Sequence, residues 1–173
     1  ELLADGWDFI ARQWDGGPRD TEITDSEEGA LVSYDQGEHP GVLRIPADVG
    51  DLYQYLNNTR NSIFRDLPTN WASVRLELSF TPTNNFQQAN LAIYDNDDSY
   101  VSVVHVFNVG ERITMTREFR GGLLHYLEAG QALISSSHIH LRIDRDQYDR
   151  LTGFYSLDGN DWIAVGSLSQ AFE

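Results

Sequence analysis

The stretch that decides the fold is residues 74–107, VRLELSFTPTNNFQQANLAIYDNDDSYVSVVHVF. In residues 74–80 apolar and polar side chains alternate strictly, which predicts a strand that lays one face on a core. After a polar turn the chain resumes at residues 91–94, breaks on an acidic turn at 95–98, and continues as an apolar run over 100–107. Three strands joined by short turns predict an antiparallel meander.

The remainder of the chain repeats this pattern of short strands and tight turns. A first strand is predicted over residues 6–14, and later strands at 113–119, 123–127, 138–143, 151–155 and 162–165. Since no window keeps a helical period, no helix is expected to cover a sheet, and the strands must pack as two sheets. The sequence therefore predicts an all-β fold, a two-sheet antiparallel β-sandwich of the jelly-roll type, as one domain over residues 1–173.

The composition narrows the class of partner. The 173 residues include 27 acidic and 12 basic side chains, for a formal net charge of −15. A phosphate backbone requires a basic patch, so nucleic acid and anionic membranes are excluded as partners. The chain has no cysteine, which excludes disulfides and thiolate metal sites. These features suit a soluble, secreted protein.

Several segments, taken in order, resemble a known family. They are Gly50-Asp51-Leu52, residues 57–61 (NNTRN), residues 87–94 (QQANLAIY), residues 97–101 (DDSYV), residues 141–145 (LRIDR) and residues 155–162 (YSLDGNDW). Their order is similar to the concanavalin A-like β-sandwich domain at the C-terminus of family 43 β-xylosidases and in related carbohydrate-active proteins. The resemblance implies a sandwich that belongs to a glycoside hydrolase and either binds polysaccharide or packs on the catalytic domain.

A catalytic role would require two carboxylates across a sugar. Concanavalin A-like glucanases carry them on one strand in a Glu-x-Asp pattern, and the nearest match is residues 22–28, EITDSEE. Thr24 stands where the Asp belongs, and Asp25 would point to the opposite face of a strand. We therefore predict no catalytic residues, while a small glycosidase with differently arranged carboxylates stays an alternative.

Clustered acidic residues form one candidate metal site. Asp95, Asp97 and Asp98 share a turn, and hard oxygen ligands in a loop suit calcium. The EF-hand pattern fails at its glycine and its bidentate glutamate positions. A polar turn between two strands is the favoured interpretation, and a structural calcium in this turn or near Asp15 and Asp20 is the alternative.

A row of polar residues forms a second candidate site. His138, His140 and Arg142 share one face of a predicted strand, since the residues between them are apolar and face the core. Two histidines make half a zinc site, and no third ligand is near in sequence. The row is interpreted either as exposed strand side chains or as part of a sugar groove, because Arg and neutral His donate to hydroxyls.

Aromatic side chains outside the core pattern are candidate platforms for sugar rings, whose apolar faces stack on flat aromatic rings. The candidates lie near loops or at strand ends: Trp14, Tyr53, Tyr55, Tyr94 and Tyr126. Five others lie in core-like patterns or in the last hairpin and are predicted to be buried: Trp7, Phe9, Phe80, Phe154 and Trp162.

Together these observations favour a non-catalytic carbohydrate-binding module that recognises a plant or microbial polysaccharide and is attached to a glycoside hydrolase. One alternative is a structural accessory domain that packs on the catalytic domain of a family 43-type enzyme. The other is the small glycosidase already mentioned. We expect a secreted, extracellular protein of bacterial origin. No cofactor is assigned, and a structural calcium is the alternative that stays open.

Overall fold

The computed structural model describes residues 6–12, 22–24, 40–45, 50–53, 56–57, 62–119 and 125–169. Within these ranges every helix or strand element is a strand, and no helix that could cross a membrane is found. The chain divides into two compact units, Glu1–Pro68 and Thr69–Glu173. The expectation of one domain over residues 1–173 stays a prediction.

The described part of the first unit contains five short strands. They are β1 (Trp7–Arg12), β2 (Glu22–Thr24), β3 (Leu52–Tyr53), β4 (Leu56–Asn57) and β5 (Ser62–Arg65). β1 is the central strand of an antiparallel sheet with β2 and β5 at its sides, while β3 and β4 pair with each other. The Arg65 guanidinium lies 5.6 Å from the centroid of the Trp7 ring.

In the second unit, residues 69–119 and 125–169 are described and contain the other eight strands. They are β6 (Ser73–Ser79), β7 (Gln88–Asn96), β8 (Ser99–Phe107), β9 (Glu111–Phe119), β10 (His125–Leu133), β11 (His138–Arg145), β12 (Leu151–Ser156) and β13 (Ile163–Leu168). They form two antiparallel four-stranded sheets, in the orders β10-β9-β8-β7 and β13-β12-β11-β6. The predicted all-β fold with two antiparallel sheets, a β-sandwich, is confirmed.

The predicted meander is wrong at its first step. β7 and β8 pair as expected, but β6 does not pair with β7 and instead lies beside β11 in the opposite sheet. The connection over residues 80–87 is long enough to carry the chain from one sheet to the other. An alternating pattern shows which face of a strand is buried, but not which strand lies beside it.

The core lies between the two sheets and consists of alternating apolar side chains from both. Among the side chains that the structure describes, twelve buried residues form it: Val101, Val103, Ile113, Met115, Ile134, Ile139, Leu141, Ile143, Leu151, Tyr155, Val165 and Leu168. Burying a side chain of this size contributes about 1.5–3 kcal/mol. In the absence of disulfides, this packing must supply most of the stability.

The face of β8 and β9 that points away from the core between the sheets is buried as well. Tyr100, Ser102 and Val104 alternate with the core residues of β8, yet each is at most 5% exposed. On this face the Tyr100 hydroxyl donates to Glu118 Oε2 at 3.2 Å, which gives the fully buried carboxylate a partner. Burial on both faces explains why β8 is an almost continuous apolar run in the sequence.

The turn between β12 and β13 is built on one carboxylate. Asp158 Oδ1 accepts backbone N–H bonds from Asp161 at 2.8 Å and Asn160 at 2.9 Å, and a third bond from the Ser156 hydroxyl at 2.9 Å. These bonds, above all the one from Asp161, favour the charged form and lower the pKa of Asp158 below its ordinary value of 3.8.

Substituting Gly153 tests the packing of the core. A Cβ at this position would lie 2.5 Å from Val103 Cγ2 and 3.1 Å from Met115 Sδ. Gly153→Ala should therefore destabilise the fold by about 1–3 kcal/mol, measured by thermal or denaturant unfolding. Adding Val103→Ala removes the obstructing methyl groups, so the double variant should lose less stability than the sum of the two single changes. Strict additivity would contradict the packing described.

Substituting Asp158 tests the turn. Because its folded pKa lies below the unfolded one, its charge stabilises the fold fully above pH 3.8, and this contribution disappears as the pH falls through the folded pKa. Asp158→Asn should therefore be less stable than the wild type at neutral pH, and the difference should vanish in acid. Asn160→Ser, a change in the same turn that removes no charge, is the control, and its difference in stability from the wild type should not depend on pH. Parallel denaturant titrations from neutral to acidic pH measure both, and a pH-independent difference for Asp158→Asn would refute the assignment.

Candidate functional site

The outer face of the sheet β13-β12-β11-β6 carries a continuous set of polar and aromatic side chains. The register of β6 on β11 places Glu77 opposite His140 and Arg75 opposite Arg142, and Arg142 in turn lies opposite Phe154 of β12. Side chains paired directly across antiparallel strands share a face and lie close together. We call this surface the β6–β11 face, and it comprises Arg75, Glu77, Ser79, His138, His140, Arg142, Phe154 and Trp162.

Arginine and aromatic side chains alternate across one half of the β6–β11 face. The Arg142 guanidinium carbon lies 4.3 Å from the ring centroids of both Phe154 and Trp162, and that of Arg75 lies 5.4 Å from Trp162. Arg142 Nε is also 3.2 Å from Asp144 Oδ1. Each close guanidinium–ring contact contributes about 0.5–2 kcal/mol. Part of the Trp162 ring is therefore covered by cations.

Two histidines share one carboxylate in the other half of the face. His138 Nε2 lies 3.3 Å from Glu77 Oε1, and His140 Nδ1 lies 4.0 Å from Glu77 Oε2. The imidazole rings meet edge-to-face with centroids 5.3 Å apart. Among the residues that the structure describes, these three are the group of His, Asp and Glu ligand atoms that could hold a metal, all within 4.8 Å of one another.

Two expectations about this face change with the structure. Phe154 and Trp162 were predicted to be buried in the core, but they are only partly buried, and both contact the outward-facing Arg142. Glu77 was not a candidate, because the search for a third ligand covered only the neighbouring sequence. The alternation of β6 did place Glu77 on the outward face, but its proximity to β11 depends on the sheet order.

The structure describes two of the predicted aromatic platforms, and the one in the second unit, Tyr94, does not lie on the β6–β11 face. Tyr94 is partly buried on β7, in the other sheet, and its hydroxyl donates to Asp97 Oδ1 at 2.6 Å. Tyr53 is 43% exposed and lies on β3 of the first unit. Their role in binding stays a prediction. Several candidates lie outside the described residues: Trp14, Asp15, Asp20, Tyr55 and, for its side chain, Tyr126.

The acidic turn between β7 and β8 is organised by its own hydrogen bonds. Asp97 accepts the Tyr94 hydroxyl, Asp95 Oδ2 accepts the Asn96 side-chain amide at 2.8 Å, and the Asp98 N–H donates to Asn96 Oδ1 at 2.9 Å. Such bonds are typical of a polar turn. A calcium ion held by Asp95, Asp97 and Asp98 stays a prediction.

One end of the sandwich exposes apolar side chains. The connections β6–β7, β8–β9 and β12–β13 leave the strands at this end, and they present Phe86, Val109 and Leu157, which are 70%, 82% and 51% exposed. We call these three residues the apolar end. Phe86 and Val109 have φ angles of 70° and 56°, a left-handed conformation that bulky and β-branched residues rarely adopt.

Neighbouring groups hold both residues in this unusual backbone conformation. The Phe86 N–H donates to the Phe107 carbonyl at 2.8 Å, and the Val109 N–H donates to Asn85 Oδ1 at 2.9 Å. Left-handed non-glycine residues cost about 1–3 kcal/mol each and are concentrated at functional positions. No glycine signals either position in the sequence, so sequence reasoning did not find them.

The comparisons with known proteins concern the fold and the family. The chain superposes on the GH43 protein BlXynB from Bacillus licheniformis with a TM-score of 0.71 and 19% identity, covering 86% of this chain and 28% of that one. On a mutant of BlXynB the chain superposes with a TM-score of 0.68 and 21% identity, covering 78% of this chain and 25% of that one. This chain therefore spans about a quarter of their length.

Sequence comparison adds the family. A search of curated proteins found no significant match. A family model described as the β-xylosidase C-terminal concanavalin A-like domain matches residues 30–172, which confirms the resemblance seen in the sequence. Since this match covers most of the chain, the chain belongs to the family of concanavalin A-like C-terminal domains of β-xylosidases, the accessory domains of GH43 enzymes.

Proposed function

We propose that this chain is a non-catalytic accessory domain that docks on a GH43 catalytic domain through the apolar end. The observation that carries the proposal is the pair Phe86 and Val109, which are both exposed and both held at positive φ. An isolated domain gains nothing from this costly arrangement, whereas a partner surface that covers the side chains would offset the cost. The secreted, bacterial setting expected from the sequence is part of this proposal.

A covalently attached catalytic domain would make a small docking surface sufficient. The chain covers 25% and 28% of the two GH43 chains on which it superposes. Attachment in one polypeptide makes docking intramolecular, so even weak contacts hold two domains together. Interfaces between domains of one chain are typically about 600–1,500 Å². Three apolar side chains at one end could form the centre of such an interface.

Saccharide binding on the β6–β11 face is the second candidate, as the sequence analysis favoured. Its support is that His138, His140 and Arg142 lie together on this face and offer hydrogen-bond donors in fixed directions. Glu77 lies beside them and can accept hydrogen bonds from sugar hydroxyls. Arg75 is exposed and 5.4 Å from the Trp162 ring, so its displacement would free part of the ring for stacking. The ligand would be a plant or microbial polysaccharide bound with modest affinity.

The variant Val109→Gly separates the effect of this residue on docking from its effect on the stability of the isolated chain. Glycine adopts positive φ without strain, so the variant should raise the melting temperature of the isolated chain. Loss of the side chain should at the same time weaken binding to the GH43 catalytic domain encoded in the same gene, by about tenfold or more in calorimetry or surface plasmon resonance. Tyr148→Ser, which removes an exposed aromatic ring at the opposite end, is the control and should leave docking unchanged.

The docking proposal has two ways to fail. One is a Val109→Gly variant that binds the catalytic domain as tightly as the wild type. The other is a parent gene that encodes no GH43 catalytic domain.

Affinity electrophoresis tests the second candidate. The chain should be retarded in gels that contain one of xylan, arabinan, β-glucan, fructan or mannan. Trp162→Ala and Arg142→Gln should abolish the retardation, since they remove the ring and the donor group on the β6–β11 face. Tyr148→Ser serves again as the control. Unretarded migration in every gel would rule out the β6–β11 face as a saccharide site of useful affinity.

A further inference from the structure

We propose that Glu77, His138 and His140 form a zinc site that ties β6 to β11. The inference does not rest on docking or on saccharide binding. It starts from sheet order, which brings a carboxylate of one strand beside two imidazoles of another. Two imidazoles and one carboxylate, with a fourth position open to water, are a ligand set that binds zinc in proteins.

The distances are close to those that zinc requires. With Zn–N and Zn–O bonds of about 2.0–2.2 Å, tetrahedral geometry places neighbouring ligand atoms about 3.4 Å apart. His138 Nε2 lies 3.3 Å from one Glu77 oxygen, and His140 Nδ1 lies 4.0 Å from the other. The side chains of Glu77 and His138 are 63% and 50% exposed, so they are free to rotate by the small amount needed.

Neighbouring groups orient both imidazoles. Ser79 Oγ lies 3.2 Å from His138 Nδ1, and this hydrogen bond leaves Nε2 as the atom that faces Glu77. The His140 ring lies edge-on to Trp162, at 6.5 Å between centroids, and closely against Gly159, where a Cβ would lie 3.2 Å from His140 Cε1. A hydrogen-bond partner on the ring nitrogen away from the metal, as Ser79 is for His138, is characteristic of metal-binding histidines.

The donor set selects the class of metal. Calcium and magnesium take oxygen ligands, whereas imidazole suits zinc and its neighbours in the first transition row. The chain as a whole is acidic, with a net charge of −15. The β6–β11 face differs from it, because Arg75 and Arg142 place positive charge there. The site is thus distinct in chemistry from the calcium alternative at the acidic turn. Without metal, the same three residues would be an ion pair shared by two imidazoles.

Calorimetric titration of the full chain distinguishes a zinc site from an ion pair. The tag-free protein is treated with a chelator, dialysed and titrated with zinc chloride. One zinc should bind per chain with micromolar or tighter affinity, and free zinc should raise the melting temperature. Calcium and magnesium chlorides should give no saturable signal from these residues. Glu77→Gln, His138→Ala and His140→Ala should each weaken zinc binding by about tenfold or more.

Two further measurements keep the test decisive. Asp144→Asn removes another carboxylate on β11, outside the proposed ligand set, and should bind zinc like the wild type. Cobalt(II) should give the visible absorption of a tetrahedral site in the wild type but not in His140→Ala, whose metal-free melting curve shows whether it is folded. Absence of saturable zinc binding, or equal binding by the wild type and all three ligand variants, would overturn the proposal.

Discussion

The pairing of β6 with β11 is the constraint on which the rest of the sandwich depends. It completes the second sheet, brings the partly buried Val74 and Leu78 against the core, and decides which side chains meet on the outer surface. Had β6 stayed beside β7, Glu77 would lie in the other sheet, away from both histidines. The chemistry of the β6–β11 face is thus a consequence of sheet order more than of any local motif.

The sandwich separates two kinds of surface. The β6–β11 face is polar and held by guanidinium–ring contacts and ion pairs, which fix long side chains that would otherwise be mobile on a strand. The apolar end is built from turns, and its side chains are positioned by backbone conformation. A polar face suits a soluble ligand or an ion, whereas exposed apolar side chains suit a protein surface. The two surfaces therefore differ in the kind of partner that each suits.

The sequence predicted which face of a strand is buried better than it predicted which strands are neighbours in a sheet. Strict alternation identified β6, and the apolar residues between His138, His140 and Arg142 placed that row correctly on the outside of β11. Alternation carries no information about which strands are neighbours, so Glu77 was missed as a companion of the histidines. A core-like pattern and the last hairpin suggested burial for Phe154 and Trp162, although arginine side chains cover them on the outer face. The positive φ of Val109 has no compositional signal, since the residue itself is neither Gly nor Asn.

The position of β6 has a consequence for how the sandwich is assembled. The first strand of the second unit is an edge strand, and its neighbour in the sheet is the sixth strand of that unit along the chain. During synthesis β7, β8 and β9 can associate as soon as they emerge, but β6 must wait until β11 has been made. Pairings of such large sequence separation raise the contact order and slow folding. An unpaired β6 would in the meantime present free backbone groups, so its alternating charged residues, Arg75 and Glu77, also protect the nascent chain from association.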